Sequence, residues 1–315
     1  MKASLVSPIV ALIVSFVAGV AVGPLWIAYQ RRRGITSVDV FKNRRDVPKA
    51  GGLIAMVAGL IGLWILASGD GRLYYALVVA AIIGAVGLLD DLYDINEGVR
   101  VAVPLLAAAF LYATVKLRMT LPFMGTFYSP SWLAVLSIPV MTNAFNMLDP
   151  VNGFLPLSNA IIGSSLALSA FLAGNYEAMY AFLVHTAASL SLFVYNKYPA
   201  KTFNGNVGSY FLGGEIAVLA AVYDMVPQLV FASMPYIVNG ILIIFSARGI
   251  RGRSRIDRPT VLKNGTVEQN CDSKILSLVR LIVSEDPLDE YGIFKRLTFL
   301  VALSSLLSIA ISMTI

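Results

Sequence analysis

Cysteine is almost missing from this chain. Cys271 stands alone, which excludes an internal disulfide framework and a cysteine-ligated metal cluster. Charge is scarce as well. Asp, Glu, Lys and Arg make up 13% of the 315 residues, where soluble domains carry about a quarter, and the mean hydropathy is +0.76. Together these exclude a water-soluble fold. No internal repeat, low-complexity tract or separable soluble domain breaks the sequence.

What the sequence has instead is long apolar runs. Crossing roughly 30 Å of hydrocarbon takes about 20 apolar residues in a helix, because every backbone amide must be bonded internally there. About ten runs qualify, near Ser7 to Tyr29, Ala50 to Ser68, Leu73 to Leu89, Val101 to Val115, Trp132 to Met147, Leu157 to Ala173, Ala178 to Tyr195, Phe211 to Tyr223, Leu229 to Phe245 and Leu297 to Met313. The first lacks a clear small-residue cleavage site and is followed by Arg31, Arg32 and Arg33, so it reads as a span rather than a signal peptide. The expected fold is all-α, a single polytopic helical membrane bundle. Its last large loop, 246–296, is a candidate for a small subdomain, since Thr260 to Val267 alternates around the type I′ turn residues Asn264-Gly265.

Alternating ten spans gathers loops 30–49, 90–100, 148–156, 196–210 and 246–296 on one side, with 20 of the 24 basic residues. The positive-inside rule makes that side cytoplasmic and puts both termini outside. The net charge of +6 does not point to nucleic acid, because the basic residues flank spans and face anionic headgroups.

Four of these loops carry chemistry-bearing residues. Asp90, Asp91 and Asp94 close the third span; acidic groups at a low-dielectric edge need a cation or proton, although a solvated helix end is the other reading. Asn143, Asn146, Asp149 and Asn152 follow the fifth span, where helix capping is the alternative. A glycine-rich run, Phe203 to Ser209, opens the eighth span and offers helix-start amides to a phosphate. Arg248, Arg251, Arg253, Arg255 and Arg258 form the densest basic stretch. It suits a pyrophosphate, or an ordinary headgroup flank equally.

In this order, from about Asp39 to Arg258, the motifs resemble the polyprenyl-phosphate N-acetylhexosamine-1-phosphate transferases. Asp39, Lys42, Pro48, Gly51 and Gly52 match the family's first cytoplasmic loop. Asp90, Asp91 and Asp94 match its acidic motif, with Arg100 where lysine is usual. Asn143, Asn146, Asn152 and Gly153 match its Asn-x-x-Asn loop, and Phe203 and Gly205 its Phe-x-Gly-Asp loop. Arg253-Ser254-Arg255-Ile256-Asp257-Arg258 is similar to the Arg-x-Arg-Ile-x-Arg of the eukaryotic and archaeal branch. The bacterial branch has histidines there, and the only histidine here, His185, falls in the seventh span as a packed polar residue.

The resemblance implies transfer of N-acetylglucosamine 1-phosphate from UDP-N-acetylglucosamine to dolichyl or another polyprenyl phosphate, releasing UMP and beginning an N-glycan precursor. It implies magnesium, with manganese an alternative. It also implies catalytic roles for Asp90, Asp91 and Asp94, substrate contacts from Lys42, Arg100, Asn152, Arg253 and Arg255, and metal contact at Asn146 and Asn206. A homodimer is compatible with it, and the compact loops suggest a prokaryotic, archaeal cell membrane.

The match breaks where the family's metal-ligating Asp is Asn206. Asp149 is the expected compensating ligand; Glu215 lies about a span turn or more away and reads equally as functional or partner-satisfied. Lys49, where the family more often has a polar or acidic residue, and Pro150, in place of a usual glycine, leave the donor sugar open. The competing functions are a non-catalytic or weakly active relative, a bacterial-type transferase for another UDP-sugar, and a transporter.

Overall fold

The structure is a computed structural model that describes residues 6–127, 131–249 and 257–313. Each of the ten expected apolar segments is helical. In chain order these helices are α1 (Val6–Arg33), α2 (Leu53–Ala67), α3 (Arg72–Tyr93), α4 (Glu97–Thr114), α5 (Trp132–Met147), α6 (Phe154–Leu172), α7 (Tyr176–Asn196), α8 (Gly205–Val222), the pair α9 (Val226–Ala232) and α10 (Met234–Ser246), and, after the short α11 (Leu278–Ile282), α12 (Glu290–Ser312). Among the described residues seven helices are long and apolar enough to cross a bilayer, and eight if α9 and α10 are one span. That is fewer than ten by length. α2 and α5 have only 15 and 16 residues, short of the roughly 20 a perpendicular crossing takes.

The ninth expected span is broken, with α9 and α10 meeting at 74°. Pro235 accounts for this, since it has no N–H to give and its ring clashes with the carbonyl four residues back. Tyr236 then anchors α10, stacking on Phe145 of α5 with ring centroids 4.1 Å apart and on Phe154 of α6 at 5.6 Å.

α8 is the axle of the bundle. Every residue from Val207 to Val222 is buried, and α2, α3, α5 and α7 pack around it. By contrast α1 turns Ile9, Ile13, Val17 and Leu25 outward, as a lipid-facing helix does. His185 of α7 and Glu215 of α8 are each other's partner in the interior, Nδ1 to Oε2 at 2.7 Å. His185 is thus a packed polar residue, and Glu215 is partner-satisfied on one oxygen.

Among the described residues three antiparallel hairpins interrupt the all-helical pattern: β1 (Thr36–Asp39) with β2 (Arg44–Pro48), β3 (Met119–Leu121) with β4 (Gly125–Phe127), and β5 (Thr260–Lys263) with β6 (Thr266–Gln269). The last is the expected one. Lys263 pairs with Thr266 around Asn264 and Gly265, both at positive φ as a type I′ turn demands. The segment is tied down: Val267 bridges to Leu288, Arg280 donates to the carbonyls of Ser273 and Ile275 at 2.6 and 2.7 Å, and Leu278 N–H donates to Asn239 of α10. The first hairpin was not foreseen, and it places Asp39 and Lys42.

Candidate active site

The start of α8 is where the loops at one end of the bundle converge. A helix leaves its first N–H groups without internal partners, and here another helix supplies them. Asp91, in the last turn of α3, accepts from the backbone N–H of Asn206 at 2.9 Å and of Val207 at 3.0 Å, one through each oxygen. A buried carboxylate and the positive end of a helix dipole thereby answer each other.

Asp90 points a third of a turn away. Its Oδ2 accepts from Asn206 Nδ2 at 2.7 Å, and its Oδ1 from Arg100 at 2.7 Å and from the Ile95 N–H at 3.1 Å. Arg100, in the first turn of α4, also holds the exposed Asp94 at 2.7 Å. Its Nε is buried and makes no hydrogen bond among the described residues. Asn146, at the end of α5, donates to Asn206 Oδ1 at 3.0 Å. Arg100, Asp90, Asn206 and Asn146 thus form one hydrogen-bonded chain across four helices.

A second cluster lies around the loop between α5 and α6. Lys42 Nζ is 3.0 Å from Asp39 and 2.5 Å from Glu290, and Asn152 donates to both of those carboxylates. Burial works to lower the Lys42 pKa, but the hydrogen bonds it donates to Glu290 and Asp39, with the charges of those carboxylates, outweigh it, so the ammonium is held above its ordinary range. Asp149 accepts from Asn204 at 2.9 Å; burial pushes its carboxyl up to about 6, which that bond only partly offsets.

Backbone pairing sews the loops together. Phe203 N–H donates to Pro48 O, Gly51 N–H to Phe203 O and Gly52 N–H to Asn204 O, each at 2.8 Å. Asn196 closes the seam, accepting from Gly153 N–H at 2.8 Å and donating to Thr202 O at 2.9 Å.

Residues 73–224, which hold the whole first cluster, match Glycosyl transferase family 4. A Sulfolobus acidocaldarius relative, provisionally named UDP-N-acetylglucosamine–dolichyl-phosphate N-acetylglucosaminephosphotransferase, is 31% identical over 261 residues, covering 77% of this chain and 79% of its own. The chain belongs to glycosyl transferase family 4. A Saccharolobus solfataricus relative with the same provisional name is 30% identical, over 69% of this chain and 72% of its own. A Bacillus subtilis protein, provisionally named an undecaprenyl-phosphate N-acetylglucosaminyl 1-phosphate transferase, is 33% identical over 67% and 62%.

Of the site residues that the family resemblance picks out, Asp90, Asp91, Asp94, Arg100, Asn146 and Asn206 meet in the first cluster, and Lys42 and Asn152 in the second. Asp149 bonds to Asn204 and not to Asn206. Arg253 and Arg255 lie outside the described residues. Glu290, Asn196 and Asn204 were missed. An acid opening the last apolar run was the sole signal for Glu290, and it reads as an ordinary helix-start charge.

Proposed function

We propose that this family member transfers N-acetylglucosamine 1-phosphate from UDP-N-acetylglucosamine to dolichyl or a similar polyprenyl phosphate, releasing UMP, as the first step of a lipid-linked oligosaccharide. The observation that carries it is the hydrogen-bonded chain Arg100, Asp90, Asn206, Asn146: acids, amide oxygens and a guanidinium donor from distant segments, gathered at one end of the bundle. Such a set handles phosphates. The names of the archaeal relatives supply the sugar and the carrier.

The reaction is a single in-line displacement. An oxygen of the lipid phosphate attacks the β-phosphorus of the donor, a new P–O bond forms, and the bond from the β-phosphorus to the bridging oxygen breaks with its electron pair leaving on UMP. A phosphate monoester with a second pKa near ~6 is already largely ionised at neutral pH, so positioning and charge neutralisation dominate over proton abstraction. Arg100 sets its guanidinium beside Asp90 and Asp94, a positive charge that a phosphate oxygen can share. Asp91 keeps the start of α8 in place, and its remaining lone pairs, with those of Asp90, orient the acceptor.

The donor set suits magnesium. Among the described residues no three of His, Cys, Asp and Glu gather as a metal group, and Asp90, Asn146 and Asn206 offer oxygen from one carboxylate and two amides. Magnesium commonly takes one or two protein carboxylates and completes its shell with water and substrate phosphates. Bound there, it would neutralise the donor's pyrophosphate. Asp149 would join only by leaving Asn204.

The loops holding the site carry most of the basic residues, so the site faces the cytoplasm of an archaeal-type cell membrane. In this reading α2, α5 and the bent α9–α10 pair also cross, giving ten spans.

Asn206 favours a second reading, a relative that binds the nucleotide sugar and turns over weakly. One assay separates them: purified protein, polyprenyl phosphate, labelled UDP-N-acetylglucosamine and magnesium, with lipid-linked product and UMP both measured. Equal amounts of the two, abolished in Asp91→Asn and Arg255→Ala, are expected. Donor binding with neither product would establish the second reading.

A further inference from the structure

Two cavities where α1 meets the first hairpin belong to neither cluster. The first, of about 450 Å3, is lined by Arg31 at the end of α1 and by Arg44 and Arg45 of β2, with Gly34, Thr36 and Asp46. The second, of about 400 Å3, is an apolar groove. Val22, Leu25, Trp26 and Tyr29 line it from α1, joined by Leu53 of α2 and Leu92 of α3. The turn after α1 is common to both: Gly34 and Thr36 line the basic cavity, and Ile35 between them lines the groove.

The four groove residues of α1 recur three and four positions apart, so they share one helix face, and Arg33 continues it. Trp26 and Tyr29 stack with ring centroids 5.3 Å apart, and Arg33 lies over the Tyr29 ring at 5.7 Å. An apolar stripe thus gives way to aromatic rings and then to a cation, the order in which a bilayer passes from chains to headgroups. Neither Arg31, Arg33, Arg44 and Arg45 nor Asp46 takes part in an ion pair among the described residues. Four cations against one acid leave the corner positive.

Backbone separates this groove from the first cluster. Trp26 Nε1 donates to Ala50 O at 2.6 Å, and Gln30 Oε1 accepts from the Ala50 N–H at 2.8 Å. The next two amides, of Gly51 and Gly52, donate the other way, to Phe203 and Asn204 before α8. Residues 50–52 are therefore a wall between α1 and the loop that opens α8. Asp91, next to Leu92, gives both its oxygens to α8 amides and does not line the groove.

We propose that this corner binds an anionic phospholipid, with one acyl chain in the groove and the headgroup phosphate among the arginines. The apolar lining suits a chain, and the unpaired guanidinium groups suit a phosphate diester. A lipid packed on Trp26 also braces the bond to Ala50, and through Gly51 and Gly52 the loop before α8. This inference does not depend on the transferase reading.

The experiment reads Trp26 directly. Trp64 and Trp132 are exposed, so Trp64→Phe and Trp132→Phe leave Trp26 as the sole indole of the full-length protein. The protein is reconstituted in phosphatidylcholine vesicles containing a fixed fraction of chain-brominated phosphatidylglycerol or chain-brominated phosphatidylcholine, and quenching of Trp26 is measured. Brominated phosphatidylglycerol is expected to bind with at least about fivefold preference, and the preference should shrink as salt is raised. Arg33→Gln should reduce it by about fivefold or to parity, and the double change Arg44→Gln with Arg45→Gln should do the same from the hairpin side. In detergent, added phosphatidylglycerol should raise the melting temperature more than phosphatidylcholine does, and less so in these variants. Equal quenching by the two lipids, or a preference untouched in both variants, overturns the site. Relief of quenching by inorganic phosphate at matched ionic strength, or by polyprenyl phosphate at a lower mole fraction than phosphatidylglycerol, overturns it in favour of that occupant. A melting temperature indifferent to phosphatidylglycerol overturns the bracing alone.

Discussion

Asn206 donates to Asp90 at 2.7 Å and accepts from Asn146 at 3.0 Å, so its amide bridges an acid and a second amide. An aspartate there would set two carboxylates face to face, an arrangement that needs a proton or a metal between them. Asn206→Asp is therefore expected to bind magnesium more tightly and to keep or raise turnover at low magnesium. A clear loss of product across a magnesium titration would count against a metal role for position 206. Asp149 makes a different demand. Its carboxyl is raised to about 6 in the fold against an ordinary value near ~3.9, so between those limits the folded state binds more protons than the unfolded one. Stability is accordingly highest at the acid end of that window, falls as pH rises through it, and stays reduced above it, by at most about 3 kcal/mol before solvent screening. Asp149→Asn should flatten this slope and raise the melting temperature near neutral pH; thermal unfolding in detergent across the window checks both.

At the scale of elements, α3 and α8 touch backbone to backbone. A methyl group on Gly87 would lie 2.5 Å from the Asn206 carbonyl oxygen and 2.8 Å from Val207 Cα, atoms that cannot swing aside as a side-chain tip can. Gly87→Ala is expected to pry the two helices apart, costing about 1–3 kcal/mol, and to lower turnover by disturbing the amides that Asp91 caps. Gly240→Ala in α10 is the contrasting case, with its nearest neighbour 3.9 Å away. It should be neutral or stabilising by about 0.5–1 kcal/mol. Melting temperatures of the two variants, with product formation for Gly87→Ala, distinguish a close-approach glycine from an incidental one. The apolar runs announced every long helix but not where α8 begins. Gly205 to Tyr210 reads as a polar loop in sequence, yet it is helical because Asp91, more than a hundred residues earlier, takes up its free amides. The unbroken hydropathy from Leu229 to Phe245 concealed the bend at Pro235 between α9 and α10.

For the whole molecule, the division of basic residues predicts which end of the bundle faces the cytoplasm, and the lone exposed cysteine makes this measurable. A membrane-impermeant maleimide should label Cys271 in inside-out vesicles and spare it in right-side-out ones. In a Cys271→Ser background, Met124→Cys, on the exposed β3–β4 hairpin, should show the reverse. Labelling of both from one side would overturn the ten-span topology. By itself the sequence determined that the chain is a helical membrane protein, roughly where each helix runs, and that acids, amides and arginines occupy loops on alternate turns of the chain. Those properties are local, because hydrocarbon tolerates only self-bonded backbone and a run of apolar side chains suffices to show it. Which side chains meet was decided only in three dimensions. Asp91 caps a distant helix, Asn206 bridges Asp90 and Asn146, and Glu290 reaches Lys42 and Asn152 from the far end of the chain. Each such pairing satisfies a buried polar group that has no partner nearby in sequence, and only the packing of the whole bundle brings one within reach.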